Sequence, residues 1–259
     1  MADLLAELTA GSVADAEARR EQHPLAQVEK AATDAAPAID ALTVLAPAER
    51  VKIIAEVKRA SPSRGDLADI PDPAVLAATY ERGGASAISV LTEQRRFKGS
   101  LSDLRAVKSA VSLPVLRKDF VATPYQVIEA RAAGADIVLL IVAALDQPQL
   151  VELHDLVREL GMTALVEAHT ADEVQRSIDL DARLVGINAR NLKNFELDRD
   201  LFGRLSPALP AHTIKVAESA VSSASDVAHY RSAGADVVLI GEALVTSDPI
   251  ATLNDFLAV

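Results

Sequence analysis

Ile53-Ile54-Ala55-Glu56-Val57-Lys58 is the stretch on which the reading of this chain turns. It begins apolar and β-branched, as a strand buried on both faces does, and it ends in two charges one residue apart. Residues two apart in a strand share a face, so Glu56 and Lys58 point the same way and Val57 points toward the opposite layer. Charges at the C-terminal end of a buried parallel strand mark the edge where α/β proteins build their sites.

Seven further apolar runs come after it, making eight in all: Lys52–Lys58, Ala87–Glu93, Pro114–Phe120, Asp136–Leu145, Thr163–His169, Leu184–Asn191, Ile214–Ser219 and Val237–Glu242. Between them the spacing is helical, as in Val75, Leu76, Thr79 and Tyr80, or in Leu150, Leu153, Val157 and Leu160. The last helix is expected over Pro249–Leu257. Glycines at Gly83-Gly84, Gly134 and Gly234 end helices before the next strand, and Asp72-Pro73, Thr123-Pro124, Thr170–Glu173 and Ser247-Asp248-Pro249 start them. Eight βα units predict a (β/α)8 TIM barrel. An open doubly wound sheet is the alternative. Closure is favoured because no Gly-x-Gly-x-x-Gly follows the first strand and no strand reads as a polar edge.

Residues 1–50 read differently, as an N-terminal helical extension packed on a barrel spanning 51–259, one structural domain overall. Leu4, Leu5 and Leu8, then Val13, Ala14 and Ala18, suggest an amphipathic helix, and Ala36-Pro37 and Ala46-Pro47 interrupt the rest of the extension.

Of 259 residues, 50% are hydrophobic but only 3% aromatic, with no Trp, so the core must be aliphatic. With no cysteine there is neither a disulfide framework nor a thiolate metal site. The start, Met-Ala-Asp-Leu-Leu-Ala-Glu, lacks a signal peptide's basic region and apolar run, and Ile137–Leu145 is too short to span a bilayer. A cytoplasmic protein is expected, with no membrane partner. A formal net charge of −11 argues against nonspecific nucleic-acid binding and requires that an anionic ligand be held by local cations and N–H groups.

The remaining strand ends extend the first observation. They carry Arg117-Lys118-Asp119-Phe120, Glu167, Asn188 and Arg190, and Glu218-Ser219. Such groups over a low-dielectric core shift one another's pKa values and can act as an acid–base set. A single one would be an ordinary solvated cap or structural ion pair; five strands ending this way point to a site. The loop Arg59-Ala-Ser-Pro-Ser-Arg-Gly65 suits a mobile lid over an anion. Ala217–Val221 and Leu239–Ala243 stand where barrels bind phosphate through main-chain N–H groups, Gly241 allowing close approach.

Together these segments resemble the indole-3-glycerol-phosphate synthase family. The matching motifs are Ile54–Ser63, Ser89–Glu93, Phe97–Ser100, Pro114–Phe120, Leu139–Val142, Leu165–Glu167, Gly186–Leu192 and Val216–Ser219, in family order. The resemblance implies a lyase of tryptophan biosynthesis that closes the ring of 1-(2-carboxyphenylamino)-1-deoxyribulose 5-phosphate, losing CO2 and water, with no metal or organic cofactor. It makes Lys118 the general acid and Glu167 its acid–base partner, with Lys58 holding the substrate carboxylate or acting in dehydration. Glu56 and Asn188 would orient the reacting groups, and Ser219 and Glu218 complete the polar ring. Phe97 and Phe120 would pack on the anthranilate ring, while Arg190 and Ser61 support anions and hydroxyls. Ala220, Gly241 and Glu242 would line the phosphate position, Glu242 by its N–H with its side chain turned away. The partner implied is a small sugar phosphate, and a monomer is favoured over a stable homo-oligomer.

Two departures stand out. The family usually carries glycine where this chain has Ala220, and an aromatic residue in the N-terminal helix where this chain has none. If residue 220 needs a positive φ, alanine there costs about 1 kcal/mol or more. Weakened phosphate binding or a slightly reshaped loop is expected. Phosphoribosylanthranilate isomerase, another phosphate-binding barrel, would want a cysteine–aspartate pair that this chain lacks. A degraded barrel serving as a scaffold is supported only by Ala220.

Overall fold

A computed structural model describes residues 4–191 and 196–259, so Met1–Asp3 and Leu192, the last residue of the Gly186–Leu192 motif, lie outside it. Among the described residues the predicted strands are all found: β1 (Lys52–Val57), β2 (Ala87–Leu91), β3 (Val115–Lys118), β4 (Ile137–Ile141), β5 (Thr163–Ala168), β6 (Leu184–Asn188), β7 (Ile214–Glu218) and β8 (Val237–Ile240). Each pairs in parallel with its sequence neighbours and β8 returns to β1, closing the barrel.

Alternation along the strands decides which side chains face the barrel axis. Ile54, Leu116, Leu139, Leu165, Val216 and Leu239 meet in one interior cluster, while Ile53, Ala55 and Val57 join the layer facing the helices. One step further along the inward parity come Glu56, Lys118, Glu167 and Glu218. The barrel interior is thus aliphatic below and charged above, and each buried Leu or Ile contributes roughly 1.5–3 kcal/mol to the floor on which the charges stand.

The outer helices are α4 (Pro73–Arg82), α5 (Leu101–Ala110), α6 (Pro124–Ala132), α7 (Gln147–Glu159), α8 (Ala171–Asp179), α9 (Leu201–Leu205), α10 (Ala224–Ser232), α11 (Glu242–Val245) and α12 (Pro249–Leu257), after α1 (Leu4–Gln22), α2 (Leu25–Asp34) and α3 (Ala41–Leu45) of the extension. The expected starts hold: Asp72, Thr123, Thr170 and Asp248 cap their helices, and Gly84, Gly134 and Gly234 adopt φ of 93°, 90° and 92°.

The first turns of the extension bury Leu5 and Leu8 as expected, but beyond them the expected face is not the buried one. Ala14 and Ala18 are exposed and Val13 only half-buried; the buried stripe of α1 runs through Leu5, Leu8, Ser12 and Ala16. Polar anchors turn the helix. The Ser12 hydroxyl donates to Asp119 Oδ1 (2.8 Å), and Arg19 grips Glu129 on α6 through two hydrogen bonds (2.6 and 2.9 Å). Behind them Arg117, fully buried, binds both Asp119 (3.0 Å) and Glu129 (3.1 Å). The outward residues of β3 therefore fasten α1, leaving Lys118 between them to face the axis.

Candidate active site

A cavity of about 770 Å³ opens at the C-terminal end of the barrel. Every site residue expected from the sequence lines it: Glu56, Lys58, Ser61, Phe97, Lys118, Phe120, Glu167, Asn188, Arg190, Glu218, Ser219, Ala220, Gly241 and Glu242.

Lys118 stands between two carboxyls, its Nζ 3.4 Å from Glu167 Oε2 and 3.6 Å from Glu218 Oε2. Burial alone would lower its pKa, but Glu167, Glu218 and Glu56 together raise it well above the usual lysine range. The two carboxyls then part ways. Burial pushes Glu167 up, and Lys118, His169 and hydrogen bonds from Glu218 and Asn188 outweigh it, holding Glu167 below the ordinary value. Glu218 is raised well above that value by burial and by the charge of Glu167, with Lys118 only partly opposing. The two carboxyls that flank the ammonium are thus pushed apart, Glu167 toward the carboxylate and Glu218 toward the carboxylic acid.

A second pair lies on β1. Lys58 Nζ is 2.7 Å from Glu56 Oε2, and the Ser89 hydroxyl donates to Glu56 Oε1 (3.2 Å). Burial favours the neutral acid, but Lys58, Lys118 and Ser89 keep Glu56 ionised below its ordinary range. The expected glycine role is sharper here than a close approach to ligand: a Cβ on Gly241 would stand 2.6 Å from Glu56 Oε2 and 2.9 Å from Lys58 Nζ. Residue 241 leaves room for the ion pair itself.

Asn188 Oδ1 accepts from the Ser219 hydroxyl (2.8 Å) and from the Arg190 main-chain N–H (3.0 Å), which turns its amide NH2 toward Glu167. Phe97 and Phe120 meet with ring centroids 6.2 Å apart, forming an aromatic wall. Leu4 and Leu8 of α1 complete the apolar side, so the cover that lacks an aromatic residue is aliphatic.

At the opposite rim, Ser219 and Ala220 both adopt the left-handed conformation, with φ of 68° and 57°. The positive φ that would strain an alanine at residue 220 is therefore real. Ala220 through Ser223 line the cavity just before α10, and Gly241 and Glu242 line it at the start of α11. The Glu242 carboxylate is taken up by Arg64, 3.0 Å away. The loop after β1 forms a small ribbon, Ala60–Ser61 against Gly65–Asp66, tied down where Arg59 binds Asp103 (2.5 Å) and Arg190 donates to the Ser63 hydroxyl (3.4 Å).

Sequence reasoning passed over Leu4, Leu8, Ser222 and Ser223 as site residues, all of which line the cavity, as does Arg64 of the loop expected over an anion. It also passed over His169, although its place two residues beyond Glu167 gave the same inward parity that selected the others.

Comparison with known proteins shows the family to which such a barrel belongs. Residues 5–255 match the family profile described as indole-3-glycerol phosphate synthase. The chain is 70% identical over 254 residues to a protein of that name from Leifsonia xyli, covering 98% of both chains. It is 57% identical to one from Mycolicibacterium gilvum, covering 98% of this chain and 93% of the other. Among solved structures, N-acetylmannosamine-6-phosphate 2-epimerase from Clostridium perfringens superposes with a TM-score of 0.61 at 15% identity, covering 79% of this chain and 90% of that one. Thiamine phosphate pyrophosphorylase from Pyrococcus furiosus does so with 0.59 at 11%, covering 80% and 93%. These two likenesses speak to the barrel alone.

Proposed function

The chain belongs to the indole-3-glycerol phosphate synthase family, and on that premise we propose how its strand-end side chains divide the family's reaction among them. The reaction is a carboxy-lyase step of tryptophan biosynthesis: 1-(2-carboxyphenylamino)-1-deoxyribulose 5-phosphate becomes indole-3-glycerol phosphate, CO2 and water. What supports the division most is Lys118 set within 3.4 Å of Glu167 and 3.6 Å of Glu218 at the floor of the cavity, the first carboxyl favoured ionised and the second favoured protonated.

The ring carbon that carries the carboxylate attacks the ketone carbon, and negative charge develops on the ketone oxygen. Lys118 stabilises that charge and gives it a proton; an alkoxide is basic enough to take one even from an ammonium held this firmly. CO2 then leaves, and its bonding pair restores the aromatic ring. Lys58, kept in place by Glu56, offsets the carboxylate's charge in the ground state. In the last step the new hydroxyl departs as water with a second proton, and Glu167 accepts the proton lost from the methylene beside the nitrogen. Two protons are given and one is taken back, so one is consumed from solvent, as loss of a carboxylate as CO2 requires. Glu218, which burial and the charge of Glu167 favour in its protonated form beside Lys118, is placed to restore the lysine between steps.

Phe97 and Phe120 hold the aryl ring against Leu4 and Leu8. Ser61 and Arg190 reach the substrate's hydroxyls and anions. The phosphate is received at Ala220, Gly241 and Glu242, with Arg64 and Arg190 among the cations that line the same cavity. The chain acts as a cytoplasmic monomer on this small sugar phosphate, without nucleic acid; among the described residues no helix is long and apolar enough to cross a membrane.

The test is growth of indole fluorescence when the carboxyphenylamino-deoxyribulose phosphate is added to folded protein. No turnover would overturn the reading.

A further inference from the structure

Glu167 has a neighbour with no part in the steps above. His169 lies two residues on with the same inward parity, partly buried, with Nε2 3.4 Å from Glu167 Oε1. Its other ring nitrogen, Nδ1, lies 3.3 Å from Glu173 Oε2 on α8. That same carboxylate oxygen also accepts the His169 main-chain N–H (2.7 Å).

Glu173 is the residue that the helix-start pattern Thr170-Ala-Asp-Glu173 singles out. In a capping box its carboxylate would turn back to the main-chain N–H of the cap residue. Here Thr170 Oγ1 accepts from the Glu173 N–H (3.2 Å), but the carboxylate reaches one residue further, to His169. The return half of the box is given up, and one carboxylate oxygen holds His169 at its ring Nδ1 and at its main-chain N–H instead.

We propose that His169 is a positioning residue for the reaction: clamped as an imidazolium by Glu173, it decides that Glu167, not Glu218, is the carboxyl left ionised beside Lys118.

The geometry makes the choice necessary. Glu167 and Glu218 are both buried and both within reach of one ammonium, and a single cation does not decide which of two such carboxyls keeps the charge. Glu218 Oε1 is buried with no hydrogen-bond partner among the described residues. Glu167 has His169. A positive ring there, added to Lys118, settles the charge on Glu167 and leaves the shared proton on Glu218.

The groups facing the imidazole from each packed element fit a retained positive charge. Glu167 stands on its own strand, Glu173 on α8, and Lys118 on β3 opposes from beyond Glu167. Across an adjoining hollow of about 310 Å³ stand Asn188, Glu196 and Asp198. Burial pulls the ring's pKa down, but the hydrogen bond to Glu173 and the charges of Glu167 and Glu173 outweigh it and raise the ring above its ordinary 6.5.

This inference rests on Glu167 as the proton acceptor, and its test separates the two. The full chain is made as His169→Gln and as Glu173→Gln, and kcat and kcat/KM are followed across pH with the carboxyphenylamino-deoxyribulose phosphate. With the imidazolium gone, Glu167 holds a proton to higher pH, so the acidic limb of kcat/KM should move up by about one pH unit or more. The plateau kcat should fall about tenfold while KM changes less than twofold. Glu173→Gln should move the limb the same way by a smaller step, and it keeps a main-chain acceptor should His169→Gln fail to fold. In parallel, the ring carbon of His169 is titrated by NMR in isotope-labelled wild-type protein, which needs no turnover. A midpoint above 6.5 supports the proposal. An unmoved acidic limb in a folded variant, or a midpoint at or below 6.5, overturns it. A wild type that turns nothing over would instead sink the functional reading and leave the histidine titration to stand by itself.

Discussion

The carboxyl of Glu218 occupies the space that a side chain on Gly186 would need: a Cβ built there overlaps Glu218 Oε1. The two residues sit on adjacent strands of the ring, and the bare backbone of β6 is what lets the acid lie flat beside Lys118. Gly186→Ala should drive that carboxyl out of place in a closely packed interior. Turnover is expected to fall about tenfold to a hundredfold, since catalytic groups tolerate little displacement. Steady-state kinetics beside a melting curve would check this; a kcat within twofold of wild type would remove Glu218 from the proposed acid role.

Glu218 also ties activity to stability. In the unfolded chain its carboxyl ionises near the ordinary 4.5, whereas in the fold it keeps its proton to higher pH. Between those two values the unfolded state binds fewer protons than the folded one, so the group lowers stability as pH rises through that window. Glu218→Gln removes the effect. The variant should melt higher than wild type at pH 8, by a margin that shrinks toward pH 5, while its turnover drops. An equal margin at both pH values would contradict the assignment of the proton to Glu218.

Lys118→Met tests the centre of the site. Without the ammonium the developing oxyanion has no adjacent cation, and kcat should fall on the order of a thousandfold or more. The fold should persist, with the freed carboxyls taking up protons rather than remaining as unpaired buried charges. Kinetics and circular dichroism on the same preparation distinguish lost chemistry from lost structure. Unchanged turnover would end the general-acid role.

Ala220→Gly should release the strain of a left-handed alanine, about 1 kcal/mol. Because this residue lines the proposed phosphate position, KM should fall about twofold to fivefold, in line with that energy. The melting midpoint should rise by roughly 2 °C. A higher KM in the glycine variant would show that alanine shapes the loop productively.

The barrel was legible because its strands are short, apolar and set apart by caps and glycines, all local signals. The site was legible for a related reason: parity along a strand tells which side chains share a cavity even when they are far apart in sequence, so Glu56, Lys118, Glu167 and Glu218 could be grouped before any coordinates. The features that stayed hidden depended on long-range polar partners. Ser12 looks like a surface residue of α1 until Asp119 is brought to it, which is why Leu5 and Leu8 are legible as its buried face while Val13, Ala14 and Ala18 mislead. Glu173 reads as half of a capping box until the chain places His169 within its reach. The left-handed turn at Ser219-Ala220 leaves no trace in the residue types themselves; only the glycine usual in the family at residue 220 pointed to it.

The Glu56–Lys58 pair on β1 lies beneath Gly241, the first residue after the last strand of the ring. The earliest barrel strand to be synthesised therefore carries charges whose roof arrives only with the final one. A chain still emerging from the ribosome, or any fragment lacking β8, would leave that pair open to water, where attraction between opposite charges falls to about 1 kcal/mol. Enzymatic turnover in this protein should consequently report completion of the whole ring, and two separately made halves should gain it only when they reassemble.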